Sequence, residues 1–166
     1  MQEEWAVLDE FPSYAVSTFG QVANIHRDSL LSLGHNTQGI TMVKLMDEDH
    51  RQVTRSVALL VAQTFIEQRR ELFNSPIHLD GDRRNCRWDN LMWRPRWFAV
   101  MFHRQFKEPR FYHPELKLGI KGTDETFHGW KDPCIKYGIL YKSVIDSYHS
   151  GDSVFPTGHV FVRLGW

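Results

Sequence analysis

Short strands broken by turns near the N-terminus, a hairpin feeding a helix at the centre, and two short paired helices near the C-terminus make this 166-residue chain an α+β protein. The first feature rests on residues 5–45, the second on residues 76–93 and the third on residues 131–150, with Gly, Pro, Asn and Asp marking the turns between them.

The strand signals begin with Trp5-Ala6-Val7-Leu8, turn at Phe11-Pro12-Ser13-Tyr14 and continue through Tyr14-Ala15-Val16. After Gly20 comes Gln21-Val22-Ala23-Asn24-Ile25, and a turn from Gly34 to Gly39 leads into the run Ile40 to Leu45. Together they predict a small antiparallel sheet in an N-terminal β module over residues 1–52, with either a structural or a DNA-reading role. Val57, Leu60, Val61, Ala62 and Phe65 recur at helical spacing and predict a core helix from Val53 to Ile66. In Pro76 to Trp93, His78 precedes a Leu-Asp-Gly turn, a polar basic segment follows, and Asn90-Leu91-Met92-Trp93 leads towards a helix. That order predicts a β-hairpin and helix within residues 53–106.

Residues 107–130 are rich in Pro, Gly and aromatics and predict an extended linker. Residues 131–166 predict a helix through Cys134, Ile135 and Tyr137, then a Gly138-Ile139 turn. A second helix is expected from Leu140 to Ser150, with Val144, Ile145 and Tyr148 inward, and Gly158 to Trp166 is expected to close the fold as a strand. The paired helices have a helix-turn-helix outline, whose second helix would read a DNA major groove.

Composition is that of a soluble globular protein, 42% hydrophobic and 24% charged. No apolar run is long enough to span a bilayer, and the acidic start MQEEW lacks a secretory signal, so an intracellular, cytoplasmic protein is expected. Cys86 and Cys134 form no C-x-x-C and are expected as reduced thiols. The net charge of zero conceals a basic centre: residues 51–110 carry 12 Lys/Arg against 6 Asp/Glu, whereas residues 1–50 carry 2 against 8. Arg83, Arg84, Arg87, Arg94, Arg96 and Arg104 cluster in sequence around the hairpin, and guanidinium groups suit phosphate. A phosphate-bearing partner is therefore expected, and the helix-turn-helix outline points to double-stranded DNA.

His78-Leu79-Asp80-Gly81, Asn85 and Asn90-Leu91-x-Trp93 resemble the core of the phage HNH homing endonucleases of the ββα-metal type, which run N/D-H-x-D-G-N/D, then N-N, then N-L-x-W. Val57 to Ile66 is similar to the family segment V-H-R-L-V-A-x-A-F-I, with Ala58 and Leu59 where the family has His and Arg. Glu4 to Val22 resembles its opening module W…Y-x-V-S-x-x-G-x-V, so the resemblance covers about the first two thirds of the chain. It implies a central ββα-metal hairpin-helix, and the C-terminal paired helices resemble the repeat that ends several such enzymes. It also implies a host cytoplasm infected by phage as the setting.

By the resemblance, His78 is the general base of phosphodiester hydrolysis and Asn90 organises the hairpin. The family's metal, magnesium if the chain is active, is held by the residue before the histidine and by an Asn or His on the following helix. Those positions are Ile77 and Ala99, which have no donor atom. Substitute ligands would be Asp80, Asp82 or His103, and Asp80 is also an ordinary turn residue. Trp93, Trp97 and Phe98 are expected to pack the motif helix on the hairpin, with base stacking as the alternative. Arg110, Lys117 and Lys121 would suit phosphate along the linker; Lys142, Ser143, Ser147 and His149 would face DNA from the second C-terminal helix.

The expectation is a DNA-binding protein of the HNH homing-endonuclease type with a degenerate nuclease centre. One alternative is an active magnesium-dependent endonuclease or nickase using relocated ligands. The other is a protein-interaction or virion-associated module on the same scaffold, with a protein partner.

Overall fold

The computed structural model describes residues 1–113 and 116–165, and its chain divides into two compact units. One contains Met1–His78 and Asp82–Arg96; the other contains Leu79–Gly81 and the chain from Trp97 onward.

In the first unit, β1 (Trp5–Val7), β2 (Tyr14–Ser17), β3 (Val22–Asn24) and β4 (Ser29–Leu30) form an antiparallel sheet in sequence order. A second sheet joins β5 (Gly34–His35), β6 (Thr41–Met46) and β7 (Gln52–Ser56). Alternation sets the orientation of β6: Thr41, Val43 and Leu45 are buried, whereas Lys44 and Met46 are exposed. Helix α1 (Val57–Phe65) packs Val57, Leu60 and Val61 into a core shared with Tyr14, Val16 and Leu45.

The helix starts four residues later than its periodicity suggests. Val53 and Thr54 are in β7, and Ser56 caps α1 by accepting a hydrogen bond from the Leu59 amide. Strand pairing across Val43–Arg55 and Leu45–Val53 outcompetes a helical turn in a segment containing β-branched Val53 and Thr54. Beyond α1, β8 (Ser75–His78) pairs with β9 (Leu91–Arg94), placing Ile77 opposite Met92 and His78 opposite Leu91. Trp93 donates its indole N–H to the Ile66 carbonyl at 3.0 Å, tying this hairpin to the end of α1.

Pro95 separates β9 from α2 (Arg96–Gln105), the expected order of hairpin and helix. The second unit has a three-stranded sheet in the order β11 (Thr126–His128), β10 (Lys117–Ile120), β12 (Phe161–Arg163). Thus residues 107–130 are more than an extended linker. They contain a short 3-10 turn at Pro109–Tyr112 and two strands, while Phe111, Leu118 and Phe127 enter a hydrophobic core. Burial of these residues stabilises a structure that the local Pro and Gly content obscures. Pro114 and Glu115 of that stretch, and Trp166 of the expected closing strand, lie outside the described residues.

Helices α3 (Lys131–Tyr137) and α4 (Tyr141–Ser150) are joined as expected around Gly138, whose φ of 60° ends α3 in a left-handed cap. Gln105 spans this corner: its amide donates to the Ile139 carbonyl, and its carbonyl accepts from the Tyr141 amide at 2.9 Å. Cys134, Ile139, Val144 and Phe161 fill the core beneath it.

Candidate functional site

The β8–β9 loop is held by its own polar groups. The Asp82 carboxylate accepts from the Arg84 amide at 2.9 Å, and Asn90 donates its side-chain amide to the Asn85 carbonyl at 2.9 Å. Thr41 adds a hydroxyl bond to the Arg83 carbonyl, anchoring the loop to β6. Gly20 permits a further close approach: a Cβ there would lie 2.9 Å from Cys86 Cβ, and its φ is +82°. In the second unit, Gly81 has φ +76° and a Cβ would meet the Phe106 ring at 2.5 Å.

His78 is buried, and its Nε2 lies 3.8 Å from Cys86 Sγ. Burial pushes the Cys86 thiol up from its ordinary range, while the hydrogen bond with Thr41 draws it down and the Asp82 charge raises it further. This neighbour of the histidine was not identified from sequence, because a lone Cys carries no spacing signal. Ile77, which precedes His78, is fully buried at 0% exposure, and Ala99 is buried as well. Neither side chain has an oxygen or nitrogen for a metal.

The proposed substitutes also have structural duties. Asp82 holds the loop amide, and His103 has Nδ1 2.9 Å from the Ala99 carbonyl. Asp80 is exposed. Among the described residues, no three His, Cys, Asp or Glu side chains are grouped to hold a metal ion. The side chains of Ile77 and Ala99 are therefore not of the oxygen-bearing type that a divalent ion such as magnesium takes.

The arginines divide according to environment. Arg84 and Arg96 in the first unit and Arg104 in the second are exposed. Arg83 bonds the Gln38 carbonyl, whereas Arg87 pairs with Asp89 and lies 4.0 Å from the Phe19 ring centroid. Arg94 is corrected from a surface DNA contact to a buried guanidinium, 7% exposed, that donates to the Trp93 carbonyl. Its pKa is lowered to about 10, by burial first and by Arg70 second, so it remains charged near neutral pH.

Ser147 is also corrected. It is 1% exposed and accepts from the Phe161 amide at 2.8 Å, on the inward face with Val144. Lys142 and His149 are exposed, while Ser143 is half-buried. Trp93 and Phe98 are buried as expected, but Trp97 is exposed.

Residues 75–97 match the model of the HNH endonuclease family. That segment is similar to the HNH endonucleases. The wider HNH comparison includes an uncharacterised HNH endonuclease of Acanthamoeba polyphaga mimivirus, 33% identical over 90 residues, which are 52% of this chain and 22% of that protein. The chain therefore spans about a fifth of that curated relative. A solved structure of the HNH homing endonuclease I-HmuI, whose title reports DNA binding and cleavage, matches with a TM-score of 0.54 at 21% identity, covering 97% of this chain and 98% of that one. The α+β fold is that of an HNH homing endonuclease. No helix among the described residues is long and apolar enough to cross a membrane.

Proposed function

We propose that this chain is a DNA-binding protein of the HNH homing-endonuclease type whose nuclease centre is degenerate, with weak or absent cleavage. The observation carrying this reading is the fully buried Ile77 immediately before His78. Its hydrocarbon side chain belongs to the protein interior and offers no ligand to a cation. Asn90, by contrast, keeps the loop-organising bond expected of a retained scaffold.

Arg84, Arg96 and Arg104 supply phosphate contacts, with Lys142 and Ser143 contributing from α4 in a helix-turn-helix manner. DNA binding by I-HmuI supports double-stranded DNA as the partner. A viral setting and action in the host cytoplasm belong to the same reading; the mimivirus relative supports the viral element. A nickase with relocated ligands would require Asp80, Asp82 or His103 to serve the metal. Asp82 and His103 are already engaged with backbone groups.

A mobility-shift titration on DNA flanking the gene tests the binding reading. Affinity should fall steeply as salt rises from about 50 to 200 mM, as counterion release requires. Absence of a complex at the lower salt would refute DNA binding.

A further inference from the structure

Helix α2 carries apolar residues on two faces. Phe98 and Phe102 are buried, whereas Trp97, Val100 and Met101 are 56%, 46% and 45% exposed. Positions 97, 100, 101 and 104 share one helical stripe, which therefore ends at the exposed guanidinium of Arg104. Phe155 extends this surface: 46% exposed, it stacks on Trp97 with centroids 5.9 Å apart and planes inclined by 25°.

Isolated exposed apolar residues are normal, but a contiguous patch rimmed by charge marks an interaction surface. Arg96 opens α2, Arg104 stands near its end and Lys107 follows; all three are exposed, and none forms an ion pair among the described residues. Cations suit a phosphate backbone and aromatic faces suit bases. Their coincidence favours nucleic acid over an apolar protein groove.

We infer that Trp97, Met101 and Phe155 form a wedge that enters the base stack of duplex DNA and opens one step, while Arg104 and Lys107 hold the flanking phosphates. The inference rests on the DNA-binding reading and adds deformation of the duplex to it. Unstacking a step costs free energy, which stacking on the protein rings offsets. DNA already opened at that point should bind more tightly.

Fluorescence anisotropy on two labelled duplexes of the same flanking sequence, one fully paired and one with a short central bulge, tests this inference at low salt. The intact chain should prefer the bulged duplex about tenfold. Trp97→Ala and Met101→Ala, both at exposed positions, should weaken binding to the bulged duplex more than to the paired one and so reduce that preference. Equal wild-type affinity for both duplexes would overturn the wedge alone and leave the patch to a protein partner. A preference unchanged by Trp97→Ala would also overturn it, and no binding to either duplex would overturn both the wedge and the DNA-binding reading.

Discussion

Asn90 donates its side-chain amide to the Asn85 carbonyl at 2.9 Å, closing the loop that joins β8 and β9. The residue that organises the loop is present, while the position before His78 is hydrocarbon. Asn90→Ala should destabilise the chain by about 1 kcal/mol, measured by urea unfolding. Asn90→Asp should cost at least as much, because an ionised carboxylate cannot donate to Asn85.

Ile77 provides a separate test of the proposed loss of a ligand. Ile77→Val should cost about 1 kcal/mol. Ile77→Asp, although it introduces the oxygen-bearing residue type, should destabilise by more than about 3 kcal/mol because the carboxylate enters a buried site. Equal stability of Ile77→Asp and wild type would show that position 77 can accommodate a ligand.

Ser147 and Lys142 should separate stability from binding. Ser147→Ala removes the acceptor from the Phe161 amide and should cost about 1–3 kcal/mol with DNA affinity unchanged. Lys142→Ala should alter stability by less than about 0.5 kcal/mol but reduce the magnitude of the salt slope by about 1. Paired denaturation and DNA titrations distinguish these roles.

Much of this architecture was legible because it is local. Periodicity located α1, the Leu-Asp-Gly turn located the hairpin, and Gly138 separated α3 from α4. The sheet within the expected linker was less legible because β10 pairs with β12 about 40 residues later, while Gly119 interrupts the apolar pattern. At the site, His78 and Asn90 stood out by motif. The burial of Arg94 and Ser147 did not, because polar residue type conceals an inward orientation when tertiary partners satisfy it.

Tyr141 links stability to alkaline pH. Its hydroxyl bonds to Glu108, and burial first, then that carboxylate, pushes the phenol up to about 12. The folded state retains its proton after an unfolded tyrosine begins to release one near pH 10. This contribution is full below about pH 10 and is lost as pH rises towards about 12. Tyr137 is also raised, first by its hydrogen bond to Glu125, so Tyr141→Phe should shallow rather than abolish the alkaline decline. Urea midpoints measured across that range check the difference.

The most direct test of the proposed degeneracy is incubation of the chain with a supercoiled plasmid carrying DNA that flanks its gene, in magnesium or manganese, beside His78→Ala and a mobility shift on the same DNA. A shifted complex with the plasmid left supercoiled is the predicted result. Nicking or linearisation that requires the divalent ion and disappears with His78→Ala would contradict the account and establish a rebuilt metal centre.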